Sequence, residues 1–425
     1  MTVATTERVT KTGRTNRRCW RVLMILENCS FPEDCRVANE ARSLYEAGHQ
    51  VVVISPTSKH DPKWFDDVGG VLAYRYPKPP EWGGLYGYIV EYGYSLTMAF
   101  LLSWVVLIRH GFDNIHAHCP PDMHVLIGQF FRFLGKRYVM DHHDLSPELY
   151  LAQTNGSGNQ WVVSALRFFE RWSCRAADEL ISTNETQRRL VIQRCGVAPE
   201  RANVVRNGPR MDRFFESEPL AEYRETGHIV IGYLGCIGYQ DGVDHLIRSL
   251  GFLREKLGRN DFRAIIIGDG PAVASLKSLT RQLTLQDHVV FAGYQSGESM
   301  RRHLASCDIA VTPDPPSDYN ITCTMIKTME YMAMRLPIVG YDLPEHRRSA
   351  GGASLYAKPG DELDLARCLE QLMDDPALRA RMGKAGRLRI EEQLAWDYQK
   401  HHLLETYRKL RNESASADVR SPVST

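Results

Sequence analysis

Short runs of consecutive apolar residues alternate with longer segments of helical periodicity along most of the chain. In the first half these runs are VLMIL (22–26), VVVIS (51–55), NIHAH (114–118), YVMDHH (138–143), ELIST (179–183) and NVVRN (203–207). In the second half they are IVIGYLG (229–235), AIIIGDG (264–270), VVFAGY (289–294), IAVTP (309–313), PIVGYD (337–342) and SLYA (354–357). Near-continuous Val, Ile and Leu runs separated by helices are typical of parallel strands buried on both faces. The pattern therefore predicts an α/β protein with two doubly wound, Rossmann-like sheets.

A polar stretch without apolar periodicity, FFESEPLAEYRETGH (214–228), separates the two series of strands and predicts a linker. The predicted units are a disordered basic tail at 1–20, a first domain at 21–213, the linker, a second domain at 229–395, a C-terminal helix at 396–411 and a disordered tail at 412–425. Two such domains enclose a central cleft that faces the carboxyl ends of both sets of strands. Open α/β sheets bind their ligands there.

Two segments bear on membrane contact. The first 21 residues carry six basic side chains but are followed by only five apolar residues, Val22 to Leu26, which is too short for the core of a signal peptide. The tail is therefore either solvated or in contact with anionic lipid. The uncharged segment Tyr92–Ile108 contains a continuously apolar part of about 13 residues, a length that favours a buried core helix, with a helix lying in a membrane surface as the alternative.

Charge and cysteine content narrow the function classes. Lys and Arg number 52 against 51 Asp and Glu, and this balance excludes the strongly basic surface that is typical of nucleic-acid-binding proteins. The ten cysteines are scattered without a CxxC pair, which predicts neither a zinc ribbon nor a disulfide scaffold. Buried, reduced thiols of this kind are typical of a cytoplasmic protein.

A glycine-containing turn, GDGP (268–271), follows one predicted strand and precedes a helical segment. Gly268 and Gly270 would permit close backbone approach to a ligand, although a strand-to-helix turn without a ligand explains the motif equally well. Val273 stands where a GxGxxG fingerprint requires glycine, so the motif is not that of a dinucleotide-binding protein.

The most informative segment is YNITCTMIKTMEYMAMRLPIV (319–339), a predicted loop, helix and strand. Asn320 or Thr322 is expected to cap the helix. The free backbone amides from Thr322 to Thr324 would then form an anion site suited to a diphosphate, because the amino end of a helix presents unpaired N–H groups.

Charged residues near this segment are the next candidates. Lys327 and Glu330 lie three residues apart and are expected to share one helix face. A carboxylate at that position accepts both hydroxyls of a ribose, whereas a surface ion pair between the two is the alternative. Arg206, in RNGPRMDRF (206–214), ends a strand at the same cleft and is expected to pair with phosphate through its planar fork, with an interdomain ion pair as the alternative.

His116 and His118 alternate on a predicted strand and therefore point the same way. HHDLSPEL (142–149) ends the next strand and adds further imidazoles and carboxylates. The group either ligates a metal or supplies hydrogen bonds to a substrate and to the core. Because no third ligand follows at a fixed spacing, we predict no metal site.

Taken together, these residues resemble the family 4 (group 1) glycosyltransferases of the GT-B fold, especially the bacterial members that build surface polysaccharides. The resemblance is carried by DCRVANEARSLYEAGHQVVVI (34–54), NIHAH (114–118), DHHDLSPEL (141–149), VVRNGPRMDRF (204–214), GYQDGVDHLI (238–247), GDGP (268–271) and EYMAMRLPIVG (330–340). The last segment is similar to the family's Glu-Ala-Met-Ala-x-Gly-x-Pro-Val-Val, whose glutamate binds the donor ribose.

The resemblance implies a retaining, metal-independent transfer of a hexosyl or N-acetylhexosaminyl group from a UDP- or GDP-sugar, without a separate cofactor. The implied acceptor is a glycan or lipid-linked sugar in polysaccharide biosynthesis. Glu330 would bind the ribose, the backbone of Tyr294 would meet the base, and His118 would approach the donor sugar, so that His118 and Glu330 are the predicted catalytic residues. The leaving diphosphate accepts the proton, and the protein positions the groups and stabilises charge. We expect a cytoplasmic protein peripheral to the inner face of the cell membrane.

The sequence departs from the family pattern at the diphosphate. Thr322 stands where the family carries the first glutamate of Glu-x7-Glu, and Cys236 and Asp241 replace a basic pair. Lys327 and Arg206 are expected to supply the missing charge, with Thr322 and Thr324 at the phosphates. These losses motivate one alternative, a non-catalytic protein that binds sugar nucleotides. A second alternative is a metal-dependent hydrolase built on the HxH pair.

Overall fold

The computed structural model describes residues 19–79, 84–154, 156–224 and 227–419. Predicted disorder at 1–18 and at 420–425 concerns positions outside these residues. Within them the chain forms two sheets, each covered on both faces by helices, and the two-domain α/β prediction is confirmed.

The first domain is built on an eight-stranded sheet. Its strands are β1 (Arg21–Ile25), β2 (Gln50–Pro56), β3 (Phe65–Val68), β4 (Val71–Tyr76), β5 (Asn114–His118), β6 (Arg137–His142), β7 (Glu179–Ser182) and β8 (Ala202–Val204), in the order β3-β4-β2-β1-β5-β6-β7-β8. Its helices are α1 (Cys35–Glu46), α2 (Gly84–Arg109), α3 (Val125–Arg132), α4 (Ser146–Gln153), α5 (Gln160–Ala176) and α6 (Glu185–Cys195). Strand β3 pairs antiparallel with β4 at one edge, and the other pairings in this sheet are parallel.

The second domain is built on a six-stranded parallel sheet. Its strands are β9 (Ile229–Leu234), β10 (Phe262–Ile267), β11 (Val289–Gly293), β12 (Ile309–Thr312), β13 (Ile338–Tyr341) and β14 (Ser354–Ala357), in the order β11-β10-β9-β12-β13-β14. The remaining helices are α7 (Ala221–Arg224), α8 (Val243–Glu255), α9 (Val273–Gln282), α10 (Gly297–Ala305), α11 (Ile326–Ala333), α12 (Pro344–Ala350), α13 (Glu362–Asp374), α14 (Pro376–Arg389) and α15 (Trp396–Val419), with a π-helical turn at Ile390–Leu394.

Every apolar run that predicts a strand is a strand in the structure, with bounds that differ by a few residues. The edge hairpin of β3 and β4 is the exception that the pattern does not predict. Strand β3 reads FDDV and alternates between exposed and partly exposed residues, so it lacks the apolar run that marks a buried strand. Its turn is made by Gly69 and Gly70, both at positive φ.

Helix α2 contains the uncharged segment, and only one of its faces is buried in the core. Val90–Arg109 is long and apolar enough to cross a membrane by length and composition, with a mean hydropathy of 1.4. Ala99, Ser103 and Val106 are buried against the first domain. Leu101 and Ile108 on the opposite face are 53% and 80% exposed. The predicted core helix is therefore correct for one face and wrong for the other.

The polar segment at 214–228, where a linker is expected, places several of its apolar side chains in the core of the second domain. Phe214 and Tyr223 are buried in the core of the second domain, and Leu220 packs against the same cluster. The core of the second domain therefore includes side chains that precede β9 in the sequence. The absence of apolar periodicity does not reveal these contacts, because isolated aromatic residues anchor a segment without producing any periodicity.

The last helix returns to the first domain. Trp396, Leu403 and Tyr407 of α15 pack with the core beside β1 and β2, and Trp396 Nε1 donates to Ser43 Oγ on α1 at 2.8 Å. The chain therefore crosses between the domains twice, and the crossings touch: Trp396 N donates to Pro209 O at 3.0 Å.

Helix α15 begins at Trp396, where the sequence predicts it, but it continues through 412–419, where disorder is expected. The added residues, NESASADV, contain neither glycine nor proline, so nothing in them stops a helix that is already nucleated.

Candidate active site

The loops at the carboxyl ends of the two sheets meet between the domains. Tyr319 Oη, after β12, donates to Asp144 Oδ1, after β6, at 2.8 Å. Asn184 Nδ2, after β7, donates to Thr322 O at 2.8 Å and to Thr324 Oγ1 at 2.9 Å. The site predicted at this edge is therefore formed by segments of both domains in direct contact.

His118 ends β5 and lies in a buried network of charged groups. Its Nδ1 is 2.9 Å from Asp141 Oδ2 at the end of β6, and its ring stacks on that of His116 with a centroid distance of 4.6 Å. Because a carboxylate only accepts, the neutral imidazole donates from Nδ1 and keeps Nε2 as an acceptor. Burial lowers the pKa of His118, which favours this neutral form. Nε2 is buried without a hydrogen-bond partner among the described residues.

Helix α1 supplies the charge that holds this network together. Asp34 caps the helix by accepting from Val37 N at 2.9 Å, which directs Arg36 towards the strand ends. Arg36 forms a fork on Asp141, with contacts of 2.7 and 2.8 Å. Burial would raise the pKa of Asp141, but Arg36 outweighs this and holds it well below its ordinary value. Asp141 is therefore an ionised, fixed partner for His118.

The same geometry counts against the HxH pair as a hydrolytic metal centre. Glu40, His116, His118 and Asp141 bring one potential ligand atom each to within 4.8 Å of one another. Both oxygens of Asp141 already accept from Arg36, and His116 Nδ1 lies 2.9 Å from Tyr407 Oη. A metal ion here would face the Arg36 guanidinium, so the arrangement suits a hydrogen-bonded imidazole better than a cation.

Glu330, on α11, faces a pocket between the domains. The pocket is lined by Cys35 and Asn39 on α1, by Asn207 in the crossing segment, and by Arg213 and Ile326. No hydrogen bond or ion pair of the Glu330 carboxylate is present among the described residues. Burial raises the pKa of Glu330 to about 7, and Arg213 partly offsets the effect. The carboxylate is thus placed in a cleft wall with its acceptor oxygens available to a ligand.

Lys327 pairs with carboxylates other than Glu330, so the alternative of an ion pair between the two residues is wrong. Its Nζ lies 2.6 Å from Asp314 Oδ1 and 3.8 Å from Asp241 Oδ1, and 4.9 Å from the centre of the Tyr233 ring. Burial lowers the pKa of Lys327, but Asp314 and Asp241 outweigh it and hold the pKa above its ordinary value. The ammonium is a fixed charge beside the turn that follows β9.

The predicted helix start at Thr322 is wrong, because α11 begins at Ile326. Residues before it form a turn in which Thr322 N donates to Tyr319 O at 3.1 Å and Cys323 N to Asn320 O at 3.4 Å. Their amides are therefore not free for an anion. Thr324 Oγ1 accepts from Asn184. The first regular turn of α11 therefore lies four residues further along the chain, from Ile326.

Gly268 and Gly270 are required by backbone contacts within the second domain. A side chain on Gly268 would lie 1.9 Å from Gly235 O, and one on Gly270 would lie 2.4 Å from Ile237 O. Gly268 also adopts φ of +140°. The close approach predicted for a ligand is thus made first to the neighbouring turn after β9, which brings the two turns together at the cleft.

Arg206 does not face the phosphate side of the cleft. Its Nη2 donates to Ser349 Oγ at 3.0 Å, and Nη1 lies 3.7 Å from Glu345 Oε2, both on α12. The expected phosphate contact is therefore replaced by the alternative, an interdomain ion pair. Tyr294, 53% exposed, stacks its ring on His60 of the first domain at a centroid distance of 5.2 Å.

Three residues at the cleft are missed by the candidate set. Arg36 and Asp141 hold His118, and Asp314 holds Lys327. Arg36 and Asp141 lie within the segments DCRVANEA and DHHDLSPEL, but nothing in the sequence indicates that they pair across 105 positions. A carboxylate directly after a buried strand, as in Asp314, is the signal that was available.

The comparisons with known proteins agree with this architecture. Residues 35–208 match the family described as "Glycosyl transferase 4-like domain", and residues 228–375 match "Glycosyl transferases group 1". A 2-deoxystreptamine glucosyltransferase from Streptomyces kanamyceticus is 27% identical over 243 residues, which is 55% of this chain and 60% of that relative. The matched part thus spans less than two thirds of that protein.

Two solved structures share the fold. Sucrose-phosphate synthase from Thermosynechococcus elongatus superposes with a TM-score of 0.76 at 15% identity, covering 93% of this chain and all of that one. HepE from Anabaena, solved with UDP-glucose, superposes with a TM-score of 0.67 at 18% identity, covering 92% of this chain and all of that one. The fold is GT-B, and with both domains matched by glycosyltransferase families, the chain belongs to the group 1 glycosyltransferases.

Proposed function

We propose that this chain transfers a hexosyl or N-acetylhexosaminyl group from a nucleotide-sugar to an acceptor hydroxyl with retention of anomeric configuration. The observation that carries the proposal is Glu330, a carboxylate held in an interdomain pocket with no partner among the described residues. Ribose presents two adjacent hydroxyls that match the two oxygens of a carboxylate. The structure of HepE with UDP-glucose supports a uridine nucleotide as the first donor to test.

The proposed division of roles follows from the placement of the side chains. Glu330 binds the ribose, the backbone near Tyr294 meets the base, and Lys327 faces the diphosphate. His118 offers Nε2 to a sugar hydroxyl while Asp141 fixes its ring. As the bond from the sugar to the diphosphate breaks and the new glycosidic bond forms, a phosphate oxygen accepts the acceptor's proton. The protein positions these groups and stabilises charge without a nucleophile of its own and without a cofactor.

A screen of UDP-, GDP-, ADP- and dTDP-sugars by thermal shift tests the proposal, because a ligand that binds the native state raises the unfolding temperature. We expect one nucleotide class to stabilise the wild type and to lose this effect in Glu330→Ala. Glu216→Ala, at an exposed carboxylate in the linker, is the matched control. No shift with any nucleotide-sugar, in a protein shown to be folded, contradicts the proposal.

The binding-only alternative is favoured by one observation. Asp241 and Asp314 both lie close to Lys327, so the charge that would meet a diphosphate is already neutralised. The same titrated donor separates the two functions: release of nucleoside diphosphate together with glycosylated acceptor supports transfer, whereas stoichiometric donor binding without release supports a binding protein.

For the acceptor, we propose a lipid-linked sugar reached at the inner face of the cell membrane, with the protein peripheral to it. The apolar face of α2 and α3 supports this proposal. Leu101 and Ile108 are exposed on α2, and Phe133 and Leu134 are 89% and 48% exposed at the end of α3. The Phe100 and Phe130 rings, with centroids 5.0 Å apart, join the two helices. Exposed apolar patches with basic residues nearby, here Arg109, Arg132 and Lys136, are typical of membrane-associated surfaces.

Sedimentation with vesicles tests the membrane proposal. We expect the protein to pellet with vesicles that contain anionic lipid at low salt, and Phe133→Asp to stay in the supernatant. Trp64→Asp, at an exposed aromatic residue of the β2–β3 loop, should pellet like the wild type. If the wild type does not pellet and a soluble aminocyclitol is glycosylated, the acceptor resembles that named for the Streptomyces relative, and the lipid acceptor is wrong.

A further inference from the structure

A second buried cluster lies beside the site, at the ends of β5 and β6. Cys119 directly follows β5, Asp122 lies in the next turn, and His142 ends β6. All three are buried, and one potential ligand atom from each lies within 4.8 Å of the other two. The parallel pairing of β5 with β6 brings these residues together although 23 positions separate His142 from Cys119.

The outer atoms of each side chain are already held by neighbours. Ser146 Oγ donates to Asp122 Oδ2 at 2.5 Å. His142 Nε2 lies 3.2 Å from Glu170 Oε1, and Arg194 pairs with the same carboxylate. Asp144 N donates to Cys119 Sγ at 3.4 Å, and the Cys119 thiol donates to Asp144 O at 3.2 Å, a proton that zinc binding would displace.

The inner atoms have no such partners. Asp122 Oδ1 and His142 Nδ1 are buried without a hydrogen bond to any described residue. A buried acceptor left unpaired costs about 1–3 kcal/mol. Asp122 and His142 thus each keep one unpartnered polar atom while the other is held by a neighbour, and with Cys119 they bring one potential ligand atom each to within 4.8 Å of one another. The contact between His142 and Glu170 is the carboxylate–histidine pair that orients an imidazole towards a metal.

We propose that Cys119, Asp122 and His142 bind a zinc ion. Sulfur, nitrogen and one carboxylate oxygen are a ligand set that Zn²⁺ accepts, whereas Mg²⁺ and Ca²⁺ prefer oxygen alone. Thiolate and carboxylate neutralise the two charges of the ion, so the buried site carries no net charge when it is filled. The alternative occupant is a proton on His142 Nδ1, which would be shared with Asp122.

The ion would act on the active site by position, because Cys119 follows His118 in the chain. It would fix the segment after β5 to the end of β6 and thereby hold the His118 backbone. The proposal does not depend on glycosyl transfer, since metal content and metal spectra are measured without a sugar.

The test uses the full chain, produced in zinc-supplemented medium and dialysed against metal-free buffer. We expect about one zinc per chain by elemental analysis, as for a single protein site. After replacement by Co²⁺, we expect a thiolate-to-cobalt charge-transfer band in the near ultraviolet. Cys119→Ser should lose the band, whereas Cys307→Ser, at a buried thiol of the second domain, should keep it.

A second variant covers the case in which Cys119→Ser does not fold. Glu170→Gln leaves all three ligands in place and should weaken zinc binding by roughly 10- to 100-fold, the usual effect of losing an orienting partner. Absence of zinc and of a cobalt spectrum in folded wild-type protein overturns the proposal and assigns the cluster to the shared proton. A cobalt band that survives in folded Cys119→Ser overturns it as well.

Discussion

At the ends of β5 and β6, ionisable side chains of the first domain satisfy one another, whereas at the ends of β9 and β10 the second domain brings backbone against backbone. Arg36, Asp141 and His118 form one buried chain of contacts. Gly235 and Gly268 instead let two turns touch with no side chain between them. The first arrangement fixes the orientation of the His118 ring before any ligand binds. The second domain contributes Glu330 to the wall of the interdomain pocket, where its carboxylate has no partner among the described residues.

Because of this difference, substitutions at the two sites should change the free energy of unfolding by different amounts. When one partner of a buried ion pair is removed, the other charge stays buried without water or a counter-charge, which lowers the free energy of unfolding. The first domain should therefore be sensitive to single substitutions in its network. In the second domain, the substitutions with the largest effect on ligand binding should change its stability little.

Arg36→Met should have the largest effect. It leaves Asp141 buried without its cation, and breaking a buried pair costs about 3–5 kcal/mol of unfolding free energy. Urea denaturation measures the change. Arg259→Met, which removes an exposed pair with Asp261 and Asp374 in the second domain, should change it by less than about 1 kcal/mol. If Arg36→Met and Arg259→Met cost the same, the buried network does not stabilise the first domain.

Glu330→Ala should lower donor affinity by roughly 10- to 100-fold, since two charge-assisted hydrogen bonds to the ribose are lost. Isothermal calorimetry with the stabilising nucleotide-sugar gives the dissociation constant. The unfolding free energy should stay close to that of the wild type, because the carboxylate has no protein partner among the described residues. Unchanged donor affinity would remove Glu330 from the ribose.

His118→Ala should reduce turnover by roughly 10-fold or more while donor affinity changes little, because the lost hydrogen bond is to the sugar and not to the nucleotide. Steady-state kinetics and calorimetry on the same preparation separate the two quantities. His346→Ala, at a buried imidazole bound to Thr312 in the second domain, is the control. An equal loss of nucleoside-diphosphate affinity would place His118 at the nucleotide.

Asp241→Asn should tighten donor binding by about tenfold at pH 8 and by less at pH 5.5. Burial raises the pKa of Asp241 to about 6, so the wild-type carboxylate is charged above that pH and repels the diphosphate, and it is neutral below it. A bound diphosphate that raises this pKa by about one unit binds about tenfold more tightly to the neutral form than to the charged form. The difference in affinity between the two proteins should therefore shrink as the pH falls through 6, whereas protonation of Glu330, with its pKa of about 7, affects both alike. Parallel pH profiles for the two proteins would show that Asp241 does not face the phosphates.

His60→Ala should have the smallest effect. It removes one exposed ring stacked on Tyr294 across the domains, and such contacts contribute about 0.5–1.5 kcal/mol. We expect a small fall in unfolding temperature and unchanged turnover at saturating donor. A large loss of turnover would mean that the stack holds the domains in the active arrangement.

The sequence predicts most strands well, because a strand that is buried on both faces consists of consecutive apolar residues. Such a run can be identified without knowing which strands lie beside it. The sequence does not predict β3, whose exposed edge position removes that run. Helix α11 begins four residues late because the turn at 318–322 satisfies amides that a capping argument assigns to the helix. Arg206 finds its partners only when the two domains dock, and Lys327 pairs with a carboxylate in the loop after β12. The spacing of residues within one segment does not predict contacts of either kind.

The return of α15 to the first domain has a consequence for chimeric enzymes. A second domain exchanged between relatives at the single boundary near 214–228 would carry a foreign α15 into the first domain's core. Tyr407 would then be replaced beside His116, and Trp396 beside Ser43. A functional graft needs two junctions, one before β9 and one at Ala395, so that the native C-terminal helix stays with the first domain, into which it packs.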